Sequence, residues 1–326
     1  MRSVLDGDRW AYVGRFSLVH LLAYAVVGVA FVTVQDALPA ADLVAIEFFE
    51  PYRPFDAAAL LSQVVRGALL AVVLAPFYDR FVRTDRGLPI LFGVVWGLTV
   101  IGSIEPIPGS IEGVIYTETT VTAHLVVLAA TAVQVAVFAV AFLEWERRVD
   151  AGTASADDAG WSIGKARRNL PRYVGRFSVL YPLVYLVAGM AFMQLQDYET
   201  VLATRETFEL YRPLDDPMVA AAIPIQVFRG GLMALLIAPF YDTFVHRKRG
   251  WFLLFGLLWG LTFLGSPHAI LGLTSDLVSS GDVGEILFGT AEVTAQLGVF
   301  AVLFWHWERR ARDRRGFGES HATTDD

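Results

Sequence analysis

The chain has no cysteine, so structural disulfides, thiolate metal sites and thiol catalysis are all excluded. Lysine is nearly absent: Lys165 and Lys248 are the only two among 26 basic residues, which stand against 33 acids for a net charge of −7. A chain of that sign offers no basic face, and nucleic acid is not expected as a partner. Catalytic signatures are missing as well. There is no HExxH, no GxSxG, no GxxxxGK[ST] and no acid-pair motif followed by spaced histidines. The histidines His20, His124, His246, His268, His306 and His321 are scattered without metal-ligand spacing. No catalytic residue, metal or cofactor is nominated, and the chain does not read as an enzyme.

What the sequence has in abundance is apolar residues, 55% of 326, with a mean hydropathy of +0.50. They come in blocks approaching the roughly 20 residues that a helix needs to cross a ~30 Å hydrocarbon layer. Runs such as LLAYAVVGVAFVTV do not alternate, which excludes a transmembrane β-barrel. The fold class expected is an all-α integral membrane protein in the cell membrane, with the lipid bilayer as its first partner.

The blocks repeat. YVGRFS at Tyr12 returns at Tyr173, AFVTVQD at Ala30 as AFMQLQD at Ala191, and QVVRG at Gln63 as QVFRG at Gln226. APFYD at Ala75 returns at Ala238, FGVVWGLT at Phe92 as FGLLWGLT at Phe255, and EWERR at Glu144 as HWERR at His306. So dense a match in one order implies a tandem duplication. Each copy offers four spans, near 17–34, 57–77, 88–104 and 122–143, then 178–195, 218–240, 251–266 and 284–305. The domains expected are a first four-helix repeat over 1–148, a linker over 149–171, a second repeat over 172–312 and a disordered polar tail over 313–326. A cleaved leader at the first span is argued against by its internal counterpart at 178–195.

Orientation follows from the basic residues, of which 21 of 26 fall at the N-terminus, the loop around Arg80, the HRKRG loop, the linker and the tail. Both termini are therefore expected on the cytoplasmic side. An even number of spans per copy makes the two copies parallel repeats, giving eight transmembrane helices. The opposite connections, IEFFEPYRPFD and TFELYRPLDD, carry acids and aromatics and are expected to form short interfacial helices ended by Pro54 and Pro213. Trp145, Trp305 and Trp307 read as interfacial anchors. Gly93 with Gly97, and Gly256 with Gly260, read as close-packing surfaces of the third spans.

Two arginines break the apolar pattern. Arg66 and Arg229 lie ~13–17 Å deep by helical rise, where a charge costs roughly 2.5 kcal/mol or more and must find a partner. Gln63 and Gln226 precede them by one turn on the same face. Glu292 matches their depth and is the nominated counter-ion, with Gln134 and Gln296 within reach and Glu118, Glu105 and His124 nearer the boundary. The candidate site is this midplane layer of Arg66, Arg229, Gln63, Gln226, Glu292, Gln134 and Gln296. It suits a small anionic solute or a lipid headgroup. The alternative is a non-catalytic scaffold or assembly protein in which the same charges lock helices.

Two resemblances rest on quoted residues. The order Asp79, Arg80, Arg83 in APFYDRFVR is similar to the cytoplasmic loop motif of major facilitator transporters, with Val82 where that family has its second glycine and Thr243 where the second copy loses the arginine. As a whole, the arginine bias, the acidic pI near 5.4 and the two QVxRG…APFYD copies resemble multi-pass membrane proteins of halophilic archaea, a likeness that carries no activity.

Overall fold

A computed structural model describes residues 8–39, 57–103, 106–150, 163–195, 211–213, 215–264 and 283–321. Those residues are predominantly helical, and the single β-type contact among them is an isolated bridge between Thr117 and Tyr211. In chain order the helices are α1 (Asp8–Gln35), α2 (Ala57–Leu74), α3 (Tyr78–Phe81), α4 (Gly87–Ile101), α5 (Ile111–Tyr116), α6 (Val121–Asp150) and α7 (Ile163–Leu195). They continue with α8 (Pro217–Ala220), α9 (Ala222–Ile237), α10 (Tyr241–Val245), α11 (Gly250–Phe263) and α12 (Val283–His321).

Among the described residues, five stretches, 10–35, 59–81, 121–150, 169–195 and 222–245, are long and apolar enough to cross a membrane, which makes this an α-helical membrane protein. Two helices are shorter than the spans expected at their positions. α4 has 15 residues and α11 has 14, so each rises only about 21–22 Å. Both stop before the sequence-based ends at 104 and 266. Other boundaries move outward: α7 begins at Ile163, inside the expected linker, and carries Pro171 in its interior. α12 runs to His321, so the stretch from 313 that was expected to be disordered is helical to that point. The first outer segment, 46–56, lies outside the described residues, as do Glu105 and His268.

Pro76 and Pro239 act as breakers. Each sits at the start of a 3-10 turn, Ala75–Phe77 and Ala238–Phe240, because a proline cannot donate to the preceding helix. These turns swing Phe77 and Phe240 together, ring centroids 4.9 Å apart. Tight loops follow at Gly87 and Gly250, where a Cβ would fall 1.7 and 1.6 Å from the carbonyl oxygens of Phe81 and Phe244.

The helices interlock rather than forming two separate bundles. α1 packs on α2 and α6, and α7 on α9 and α12, within each half of the chain. α4 meets α9, and α11 meets both α2 and α4, across the halves. The contact surface needs small residues: a Cβ on Gly97 would lie 2.7 Å from Leu236, and one on Gly260 2.5 Å from Val73. The other members of those glycine pairs, Gly93 and Gly256, have room to spare. One continuous apolar core results, containing Phe16, Leu70, Phe138, Phe177, Met233 and Phe300.

The basic end of the bundle is held by two matched clamps. Arg15 of α1 grips Glu146 of α6 in a fork, Nε to Oε1 at 2.5 Å and Nη2 to Oε2 at 3.2 Å, while the Tyr78 hydroxyl donates to Oε2 at 2.9 Å. Arg176 grips Glu308 in the same way, with Tyr241 donating at 2.8 Å. Both glutamates are buried. These residues lie in the repeated YVGRFS, APFYD and WERR motifs, yet nothing in the motifs themselves announces the pairing. Trp305 corrects another expectation. It is buried, not interfacial, and its Nε1 donates to the Phe244 carbonyl at 3.1 Å. Arg147 does the corresponding work on Val82 and Thr84.

Removing one partner of a buried ion pair strands the other charge, at about 3–5 kcal/mol. Glu308→Ala and Glu146→Ala are therefore expected to lose about that much stability in detergent-based unfolding followed by tryptophan fluorescence. Arg148→Ala, which breaks only the exposed pair with Glu144, should cost no more than about 0.5 kcal/mol. Equal losses in all three would remove the clamps from this role.

Candidate functional site

The short helices explain the arginines. A helix that ends at membrane depth leaves its last carbonyls without partners, and each such group costs several kcal/mol in hydrocarbon. The end of α4 is met by Arg229 of α9. Its Nε donates to the Ile101 carbonyl and its Nη2 to the Ser103 carbonyl, the latter at 2.5 Å. Nη1 reaches Gln226 Oε1 at 2.9 Å and pairs with Glu112. Tyr181 of α7 lies over the guanidinium, its ring centroid 5.6 Å from the central carbon. Arg229 is 0% exposed. Charged hydrogen bonds are worth about 1.5–3 kcal/mol each, so these contacts offset an insertion cost of about 2.5–3.5 kcal/mol. A cation at the negative end of a helix dipole adds to the balance.

Glu112 is the counter-ion of Arg229, in place of the nominated Glu292. It sits on α5, inside a connection expected to be an outer loop, and is 2% exposed. The chain is folded back into the bundle by local chemistry. Gly109 adopts φ +84°, a left-handed value that suits glycine. Its N–H donates to His124 Nδ1 at 2.8 Å, and Ser110 Oγ caps α5 at the Gly113 N–H at 2.9 Å. Gln226 Nε2 then donates to Glu112 Oε1 at 3.0 Å. Glu118 is exposed. Glu292 faces α7, where a Cβ on Gly189 would come within 3.8 Å of its Oε1.

Arg66 performs the reciprocal contact. From α2 its Nε donates to the Leu264 carbonyl, at the end of α11, at 2.6 Å. Its Nη1 meets Gln63 Oε1 at 3.3 Å, and the same oxygen lies 3.3 Å from His20 Nε2. An oxygen that accepts from Arg66 leaves His20 Nε2 as the donor to it. Each arginine thus caps the short helix of the other half of the chain.

Among the described residues, the surroundings of the two arginines differ. A cavity of about 30 Å³ opens beside Arg66, lined by His20, Trp96, Thr99, Thr131 and Gln134 with apolar walls from Leu70, Val95, Val135 and Phe138. Gln134 therefore belongs to the Arg66 side. Gln296, its counterpart on α12, is 3% exposed and its Nε2 has no hydrogen-bond partner among the described residues, as is true of the Tyr181 hydroxyl. Five of the seven nominated residues thus fall into two groups: Arg66, Gln63 and Gln134 with His20, and Arg229 and Gln226 with Glu112. His20, Glu112 and Tyr181 were not nominated. A usable signal for Glu112 was the stretch SIEPIPGSIEGVIY, too apolar for a solvated loop and holding few acids.

Comparison with protein-family profiles, curated proteins and solved structures finds no match for this chain.

The Arg229–Glu112 pair is expected to couple across 117 residues of sequence. In a double-mutant cycle of Arg229→Gln and Glu112→Gln, the interaction energy should fall in the range of about 1–3 kcal/mol typical of contacting residues. A coupling below about 0.5 kcal/mol would mean that the guanidinium is held by the backbone carbonyls and Gln226 without Glu112.

Proposed function

We propose that this chain crosses the cell membrane eight times as two parallel four-helix repeats, with both termini cytoplasmic, and that it binds or translocates a small anionic solute or lipid headgroup beside Arg66. The observation that carries the reading is the cavity on which Arg66, His20 and Gln134 converge. A guanidinium and an amide supply N–H donors at a depth where water is scarce, and that combination selects negative charge. Arg229 has a different role. Sealed by two carbonyls, Gln226 and Glu112, it serves helix packing, which narrows the ligand site from the whole polar layer to its Arg66 side.

The second reading, a non-catalytic scaffold or assembly protein, is favoured by the same Arg229 contacts if Arg66 does no more than cap α11. Thermal unfolding separates the two. With the full chain in detergent, halides, phosphate and an anionic phospholipid should include at least one ligand that raises Tm in proportion to the logarithm of its concentration, as ligand linkage requires. The rise should vanish in Arg66→Gln and persist in Arg148→Ala. A Tm indifferent to all of them would leave the scaffold reading in possession.

The topology has its own test. Because the chain has no cysteine, Asp85→Cys and Glu118→Cys each introduce one thiol at an exposed position. An impermeant maleimide added to intact cells is expected to label the position-118 variant and spare the position-85 variant until the membrane is opened. The reverse pattern would invert the orientation.

A further inference from the structure

We propose that Arg229 and Gln226 form a carboxylate-binding site in the second half of the chain, that Glu112 of the first half is its tethered occupant, and that a small free carboxylate such as acetate or formate exchanges with it. Arg66 has no part in this site. The packing role of Arg229 described above is the site's filled state.

The donors are the first ground. Arg229 Nη1 and Gln226 Nε2, from side chains one turn apart on α9, both reach Glu112 Oε1, the amide at 3.0 Å. Gln226 Oε1 accepts from the same Nη1 at 2.9 Å, while the Ile101 and Ser103 carbonyls take other N–H groups of the guanidinium. Contacts that do not involve Glu112 therefore hold the guanidinium in place. A held guanidinium beside an amide donor is the combination that recognises a carboxylate. Further polar groups stand near it. The Tyr181 hydroxyl and Gln296 Nε2, both buried, have no hydrogen-bond partner among the described residues. Tyr181 lies over the guanidinium, and its ring is 5.5 Å from that of Phe300, one turn along α12 from Gln296.

The way Glu112 arrives is the second ground. It belongs to no spanning helix. α5 is a six-residue element in the connection between α4 and α6, entered through the turn at Gly109. Its Glu112, Gly113 and Ile115 are buried while Val114 is 46% exposed, so α5 sits on the bundle as a stopper with one side outside. Polar bonds tie it to the second half: Gln226 and Arg229 to Glu112, the Tyr116 and Tyr185 hydroxyls 3.0 Å apart, and the Arg212 N–H donating to the Tyr116 carbonyl at 2.8 Å. Bonds of this kind are exchanged for bonds to water or solute when a segment lifts. A tethered group acts at an effective concentration of millimolar or more. Free carboxylate has to exceed that range to displace it.

The test uses the full chain in detergent at constant ionic strength, with acetate or formate replacing chloride. Glu112→Ala is expected to lower Tm, and either carboxylate to restore it saturably, since the atoms removed, a methylene and a carboxylate, are those of acetate. Adding Gln226→Leu, which removes one donor to the carboxylate, should weaken the acetate Kd at least roughly tenfold, the equivalent of one charge-assisted hydrogen bond. Exchange in the otherwise intact chain is read with Ile115→Cys, which places a thiol where the side chain is 0% exposed while α5 is seated. Its reaction with a water-soluble methanethiosulfonate should be severalfold faster in acetate than in chloride. A Glu112→Ala variant whose Tm ignores carboxylates, an acetate Kd unmoved by Gln226→Leu, or a thiol that reacts equally in both salts overturns the assignment. Should Glu112→Ala fold only with carboxylate present, the yield of monodisperse protein against acetate concentration reads the same affinity. Should it fold in neither salt, the thiol rate alone decides. The reading at Arg66 stands or falls separately, on Arg66→Gln.

Discussion

Much in the interior of this protein turns on the carbonyl groups at the ends of two short apolar helices. α4 and α11 stop after 15 and 14 residues, and their last carbonyls cannot be left bare in hydrocarbon. The donors come from opposite halves of the chain, Arg229 for α4 and Arg66 for α11. A guanidinium is well matched to this capping role, being planar, always charged and able to present several N–H groups at once, whereas a lysine would offer a single point charge. The exchange also explains why the halves share one core, since neither short helix is finished without the other half.

The basic end solves a related problem by other means. There the charges are close enough to water to be partly hydrated, and the fold uses complete ion pairs: Arg15 with Glu146 and Arg176 with Glu308, each joined by a tyrosine from the turn after the proline break. These clamps fix α1 to α6 and α7 to α12 below the level at which α4 and α11 cross. Rigidity at that end and reciprocal capping in the interior leave little freedom for the halves to rock apart. A ligand beside Arg66 would sit in a stiff wall.

Similar sequence in the two halves has not produced similar environments. His20 and Tyr181 occupy matching places in YVGRFS-led helices, yet one shares an acceptor with its arginine and the other lies over its arginine's face. Glu112 seals one arginine from its own folded-back segment. Among the described residues, His20 and Gln63 stand beside Arg66, whereas Tyr181, Gln226 and Glu112 stand beside Arg229.

Much of this was legible in the chain itself. Hydropathy and length determine an α-helical membrane protein, the repeated motifs determine which segments correspond, and linear rise places Arg66 and Arg229 at a depth where they need partners. The partners were not legible. Rise along a helix gives depth but not the direction in which a side chain points, and so the acid that meets Arg229 is Glu112, while Glu292 lies beside Gly189 of α7. Glu112 was passed over because sequence marks it as loop, and only the turn at Gly109 and the cap at Ser110 carry it inward. That α4 and α11 end early, and that their caps come from 128 and 198 residues away, depends on how distant helices meet, which composition and periodicity do not encode.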